Sequence, residues 1–579
     1  MKAPFRSKLV YFFLLLAPVF LTFLGGCEKT RALPDAIRQI ADSPDQSVLK
    51  MGFYGDPLDL NPIGHLFENA RLVCNMVHAG PLRKTPSGEF VPDLFASWTF
   101  SQDEKGNLIV EGVWRGNLIW HDGQIFDPTD LSFTIDAMRN PENASPYAAI
   151  ASKVVNISSF DRGRRIRLAF DGNSRQYLEI LAAGLLPSHL LRGKKINQAA
   201  IVDNGSSSMV IDQASGPSQL FFDRPIGIGP FKIVDRKKGQ FIHLSAWDVS
   251  TNSVNEANAQ VTQPGSISRK ISTVLLRSYL AVEDLVNDFR QGKLDWINVP
   301  SEIAVKLEEL KIPQVRFVRY PNPSYQMWGF NTQKAPLNDL KIRKAFDLAI
   351  DRGKIKNIVP FEVVPMTKPQ IGSAALDTAG KEITQDYLEA KRLLDESGVK
   401  DTNNDGIREF GDKPFEISIL INQENIYRKM IGDIIIDDLR KIGIRGTVES
   451  LSWSEMIGKR LSQGDFQTFI LGFQAPLEGN WINLWHSRPP LGEKLNFTGF
   501  SDERLDKALS EIDLMSAQTD FEGSRAVIMQ LLAENLPGIF LFRPLDFAAF
   551  STNLSGPSEG GEFWEQDISK WEKKSSAAK

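Results

Sequence analysis

The chain has 579 residues, 42% of them apolar and 24% charged, with a formal net charge of −4. That length exceeds what one hydrophobic core supports and predicts two or three domains of ordinary globular composition. Lys and Arg are scattered, with no basic stripe to follow a phosphate backbone, which argues against a nucleic-acid partner. Beyond residue 24 no segment is long and apolar enough to span a bilayer.

Lys2, Arg6 and Lys8 precede an apolar run over 9–24, broken only by Pro18 and Thr22. This is the layout of a secretory signal. The run ends in Leu24-Gly25-Gly26-Cys27, which resembles the bacterial lipobox, small residues followed by a cysteine that becomes lipidated. Residues 1–26 are thus expected to be a lipoprotein signal peptide, with Cys27 the lipidation site. Several acyl chains on one cysteine would anchor the protein to a membrane. Residues 27–47, polar and containing Pro34, Asp42 and Pro44, read as a tether. Cys74, the other cysteine, lies in the largely apolar stretch Leu72-Val73-Cys74-Asn75-Met76-Val77 and reads as a buried, inert thiol. With Cys27 lipidated no intrachain disulfide can form.

The first half then shows short strand-like segments, such as 108–114 and 166–170, and few helices. One helix start is well marked: Asp127 as cap, Pro128 in the first turn and Asp130 at the positive end, with Leu131, Ile135 and Met138 on one face. The polar stretches 204–219 and 249–268 read as surface loops. From Phe415 the pattern sharpens. Phe415, Ile417, Ile419 and Ile421 alternate as in a strand; Ile431, Ile435, Leu439 and Ile442 share a helix face closed by Gly443. A strand over 444–451, a helix over 452–461 and an apolar strand over 466–473 follow. This alternation implies a parallel sheet covered on both faces. Residues 552–579, rich in Gly, Ser, Glu and Lys, read as a loose tail. A mixed α+β lobe followed by an α/β lobe predicts two bodies with a cleft between them, a preferred place for ligands.

Signatures of catalysis are weak. No Walker A loop, His-Glu-x-x-His or Cys-x-x-Cys occurs. Gly556-Pro557-Ser558-Glu559-Gly560 matches Gly-x-Ser-x-Gly, but it lies in the Gly-rich tail, without the strand and helix that a nucleophile elbow needs. The six histidines are scattered, and His121-Asp122 reads as a polar turn before the capped helix. Asp401, Asn403, Asp405 and Asp412 are spaced like a calcium loop, with Gly406 at the turn, although Asp412 replaces the usual glutamate and Asp and Asn make tight turns without any metal. No cofactor is expected.

Several motifs then join up in order. Gly55-Asp56-Pro57-Leu58-Asp59-Leu60-Asn61-Pro62 opens the series. Gly88 to Leu94 with Ala96-Ser97-Trp98, Trp120-His121-Asp122-Gly123 with Asp130-Leu131, and Leu186-Pro187-Ser188-His189-Leu190 come next. Gly227-Ile228-Gly229-Pro230-Phe231, Gly292-Lys293-Leu294-Asp295, Gly329-Phe330-Asn331 with Asp339, Arg343, Ala345, Ala349 and Asp351, and Asn496 to Ser501 complete it. Together they resemble the extracellular solute-binding proteins, family 5, which serve oligopeptide, dipeptide and nickel ABC importers. Phe95 and Ile228 depart from the family's pattern.

The resemblance implies an α/β, two-lobed clamp of the periplasmic-binding-protein type (type II, large form) with an extra subdomain in the first lobe. It places the first lobe at 48–318 with a subdomain inserted at about 76–212, the second lobe at 319–543, and a return to the first lobe with the tail at 544–579. It implies an extracytoplasmic, monomeric receptor that takes a peptide-like solute between its lobes and delivers it to permease subunits. Alternatives on the same fold are a sensor or chaperone, or a receptor for nickel, haem or a sugar. Phe67, Glu68 and Asn69 are similar to a stretch that grips the ligand main chain in peptide-binding members. Phe473, Gln474, Glu478 and Trp481 fall in the segment similar to the family's cleft loop, and Tyr325 and Trp328 are further candidate lining residues. Pro476 stands where peptide-binding members carry an aspartate for the ligand's amino group, and Glu478 is the acid that could replace it. Among the histidines only His65 and His486 fall near these segments, too few for a nickel cage.

Overall fold

The computed structural model describes residues 33–574 except 58, 65–67, 86–88, 195, 197–199, 203–209, 213–220, 248–269, 299–306, 309–310, 314, 322–323, 367–384, 475–480, 490–494, 515–520, 556–567 and 569–570. The chain divides into two compact units, Met1–Ser43 and Pro44–Lys579. The signal, the lipobox and Cys27 lie outside the described residues. The first unit contains the helix Asp35–Asp42, with Asp35 in its first turn, so the stretch expected to be a tether carries a short helix.

In the second unit one twelve-stranded sheet runs through both lobes. The first-lobe part is built on Val48–Tyr54, whose residues are all buried except Tyr54. It pairs in parallel with Thr273–Tyr279 and Trp296–Asn298. Burial on both faces is why this strand reads as apolar without strict alternation.

The long strand Gly538–Ser551 joins the lobes. Its C-terminal half pairs antiparallel with Val315–Pro321, from Ser551 opposite Val315 to Leu545 opposite Pro321. Its N-terminal half pairs with Ser324–Phe330, Phe542 facing Gln326 and Gly538 facing Gly329. Chain leaving one lobe and chain returning to it therefore run side by side as a ribbon. Pro544, which has no amide hydrogen to donate, sits where the partners change.

The second lobe follows its alternating pattern. Glu416–Asn422 pairs in parallel with Arg445–Leu451 and with Thr468–Gln474, and the helix Ile426–Arg440 buries Ile431, Ile435 and Leu439. The sheet is nevertheless mixed, because Ser324–Phe330 joins Thr468–Gln474 antiparallel. The helix expected over 452–461 is capped by Ser452, then passes from Trp453–Glu455 into a π-helical turn at Met456–Leu461.

The subdomain is a separate antiparallel sheet in the order Phe95–Gln102, Leu108–Trp114, Arg165–Phe170, Val154–Phe160. The helix Thr129–Arg139 packs on it through Leu131, Ile135 and Met138, all fully buried. The Asp127 carboxylate accepts from the Thr129 amide at 2.8 Å, the capping role its position predicts.

Two expectations are corrected. Within the stretch read as a loop over 204–219, Val210–Asp212 pairs as a strand with Ala200–Val202. The tail is also partly folded: Leu554–Ser555 pairs with Glu572–Lys573, Ile568 and Trp571 join the first-lobe core, and Lys573 Nζ reaches Asp295 at 2.9 Å. Composition hides this because one tryptophan and one isoleucine suffice to pin a polar segment. Residues 249–268 and the Gly556–Gly560 motif lie outside the described residues.

Candidate ligand site at the lobe junction

The signature motifs of the first lobe are architecture. Trp120 Nε1 donates to Asp130 Oδ2 at 3.1 Å, and the same carboxylate accepts the Asp127 and Ser188 amides. His121 donates from Nε2 to the Gly229 carbonyl and accepts the Gly227 amide at Nδ1. Asp122 pairs with His189 at 2.8 Å. One network thus ties three of the motifs together. The opening motif is held likewise: Ser278 donates to Asp56, whose carboxylate faces Arg236 at 3.8 Å, and Asp59 and Asn61 close turns on the following amides. Cys74 is buried and burial raises its thiol well above the ordinary range, which makes it unreactive.

The aromatic candidates fall in cores. Tyr325, Phe473 and Trp481 are 2%, 8% and 3% exposed and stack together, with ring centroids 5.8 and 6.5 Å from that of Tyr325. Trp328 is fully buried in the other core of the second lobe, stacked on Phe346 at 5.6 Å. All four rings are buried, three of them in one core of the second lobe and Trp328 in the other. Sequence could not separate these roles, because aromatic rings serve cleft walls and cores alike. Asn69 stands at the start of the helix Glu68–Val77 and donates to the Tyr54 carbonyl at 3.2 Å, tying that helix to the end of the opening strand. Phe67 and Glu478 lie outside the described residues, as do the side chains of Glu68 and Gln474.

A polar cluster that the sequence did not reveal lies at the edge where the chain enters the second lobe. Ser324 begins one strand there, opposite Gln474, and the strands ending at Asn422, Leu451 and Gln474 all finish at this edge. Carboxyl ends of parallel strands are the usual ligand side of an α/β sheet. Arg428, in the first turn of the following helix, is only 9% exposed. Its Nε donates to Gln326 Oε1 at 3.2 Å and its Nη1 to Asn422. Nη2 lies over Gly472, where a Cβ would come within 2.8 Å of it. Burial lowers this guanidinium to about 10, against the pull of Glu424. Glu424 itself accepts from Asn422 and from the Trp453 amide. Among the described residues no carboxylate pairs directly with Arg428 and Nη2 has no partner.

A second polar contact joins the subdomain to the helix Glu503–Asp513. Ser174 Oγ and Gln176 Nε2 donate to Asp513 Oδ1 at 2.9 and 3.1 Å. Burial raises the Asp513 carboxyl above its ordinary value, only partly offset by these two donors.

One arrangement imitates a catalytic triad. His486 lies 3.3 Å from Ser510 Oγ through Nε2 and 3.7 Å from Asp506 through Nδ1. Yet Nδ1 accepts the Arg488 amide, so the neutral ring carries its hydrogen on Nε2 and donates it to Ser510. Ser510 in turn gives its own hydrogen to the Asp506 carbonyl. The hydroxyl is a hydrogen-bond acceptor from the ring and is not activated as a nucleophile. His486 is committed to this turn, and His65 lies outside the described residues.

Comparison with known proteins agrees with the fold. The family described as "Bacterial extracellular solute-binding proteins, family 5 Middle" matches residues 89–487. The oligopeptide-binding protein AppA of Bacillus subtilis is 25% identical over 577 residues, covering 95% of this chain and 96% of its own. The crystal structure of AppA from Bacillus subtilis with a nonapeptide superposes with a TM-score of 0.59 at 21% identity, covering 91% of this chain and 99% of the other. NikZ from Campylobacter jejuni, solved with Ni(L-His), gives 0.62 at 21% identity, covering 91% and 100%. The fold is the two-lobed type II clamp of these binding proteins. Among the described residues no helix is long and apolar enough to cross a membrane. The chain belongs to family 5 of the bacterial extracellular solute-binding proteins.

Proposed function

We propose that this protein is a lipid-anchored, extracytoplasmic receptor of an ABC importer. It binds a peptide-like solute between its lobes, works as a monomer, makes and breaks no covalent bond, and delivers its ligand to the permease subunits. The observation that carries this reading is Arg428: a buried guanidinium at the lobe-entry edge, shaped by Gln326 and Asn422 and, among the described residues, lacking a carboxylate partner. A terminal carboxylate or a main-chain carbonyl of a peptide is the ligand group that such a fork accepts. AppA, by its name and its nonapeptide complex, and NikZ, with its nickel–histidine complex, bind ligands built from amino acids. The ribbon of two crossing strands supplies a hinge, so ligand that touches both lobes favours the closed form, which a permease can recognise. Cys27 would hold this receptor at the membrane through its acyl chains.

Native mass spectrometry of the protein extracted from its own cell envelope tests the reading. A bound mass that matches one or more short peptides, or an amino-acid-derived solute with a free carboxylate, is expected. A ligand without any carboxylate or amide group would overturn it.

A further inference from the structure

We propose that residues 401–409 of the second lobe form a calcium site, held by the carboxylates of Asp401, Asp405 and Glu409. One oxygen from each of the three lies within 4.8 Å of the others. Calcium binds oxygens at about 2.4 Å, so two oxygens on one ion stand at most about 4.8 Å apart, the bound that every pair of these three meets. Asn403 and the Ile407 carbonyl fall at the remaining donor positions of a calcium loop, and Gly406, at φ +85°, makes its sharp turn.

Loop geometry alone would not argue for an ion, since the side chains of Asp401, Asn403 and Asp405 also accept amides of the turn itself. Glu409 supplies the independent observation. It is 7% exposed and lies among these acids. Its Oε2 accepts from the Thr402 amide and hydroxyl at 2.8 and 2.9 Å, but its Oε1 is buried with no partner. A buried carboxylate oxygen beside two further carboxylates is costly unless a cation answers it. Among the described residues no Lys or Arg pairs with any of the three. The adjacent Arg408 turns away to Asp395 and to the Val399 and Ile442 carbonyls.

The position of the third acid also corrects the spacing read from sequence. Asp412 is exposed in the turn between Glu409–Phe410 and Lys413–Pro414, and it stands outside the acidic group. The hairpin folds Glu409 inward instead. An ion here would fasten the loop that leads into Glu416–Asn422, the strand that ends beside Arg428.

Equilibrium dialysis of the full chain against ⁴⁵Ca²⁺ tests this. One ion per chain is expected, with a Kd of about 10⁻⁵–10⁻³ M, in the sensor-to-extracellular range. Asp405→Asn, at an exposed position where refolding is not at stake, should weaken binding at least tenfold, roughly the loss of one charged ligand. Glu409→Gln should do the same, and Asp412→Asn should leave binding intact. Calcium should raise the unfolding midpoint of the parent chain, and EDTA should reverse the rise. Absence of bound ion at about 5 mM, well above that range, or binding that survives Asp405→Asn unchanged, would overturn the proposal.

Discussion

Two polar networks in this molecule look alike in composition and differ in completeness. The Trp120–His121–Asp122–Asp130 network in the first lobe is closed: its indole, imidazole and carboxylates all find partners within the protein. The Arg428–Gln326–Asn422 cluster at the second-lobe edge is open, with a buried cation that pairs with no carboxylate among the described residues. A closed network fixes a fold, because removing any member strands the others in a dry interior. An open one has capacity left for a guest. The first stands out in the sequence as a motif, and the second does not.

The sharpest way to break that comparison is through the closed network. Asp130→Ala strands three donors, so it should cost about 3–5 kcal/mol of stability in denaturant unfolding. A loss under about 1 kcal/mol would mean that the network is not closed in solution. Next to it, His78 is fully enclosed, and burial, then the nearby His121, lowers its pKa to about 3. Its folded form stays neutral while the unfolded form takes up a proton below about pH 6.5. Stability from this group is therefore complete above about 6.5 and declines as pH falls toward 3, by about 1.4 kcal/mol per pH unit. His78→Gln should flatten that slope in a pH series of unfolding curves.

The open cluster predicts the converse. Arg428→Gln should weaken ligand binding by about 10–100-fold in calorimetric titration while changing stability by no more than about 1 kcal/mol, since a buried charge is removed along with its contacts. A large loss of stability with unchanged affinity would reassign Arg428 to the frame. Smallest is the effect at Asp513. Its raised pKa means that the contact with Ser174 and Gln176 binds a proton more readily than the separated carboxyl does, so the contact strengthens as pH falls through the raised value. Arg175 and Tyr177 are the other titratable groups facing it, Arg175 opposing the rise. Asp513→Asn should keep both hydrogen bonds and remove the pH dependence of any closure measured by distance labels across the lobes.

Much of the frame was legible. Alternation over Phe415–Ile421 and the 3.6-residue stripe from Ile431 to Leu439 gave the parallel unit with its neighbours, because burial on one face leaves a period in the sequence. The antiparallel partner Ser324–Phe330 was not legible, since sheet order depends on contacts far apart in the chain. For the rings named as cleft candidates the sequence left two roles open, wall or core. Tyr325, Trp328, Phe473 and Trp481 are core residues, and the exposure of a ring is a tertiary fact that leaves no period. Arg428 was missed for the opposite reason: an arginine in the first turn of an amphipathic helix reads as solvated, and only the fold brings it against Gln326, Asn422 and Gly472.

The measurement that bears most directly on the clamp is small-angle scattering of ligand-stripped protein with and without a pool of short peptides, run in parallel on Arg428→Gln. A two-lobed receptor that closes on its guest predicts a smaller radius of gyration for the parent chain with peptide, and no contraction of the variant at the same concentration. Saturated binding with an unchanged radius would contradict it.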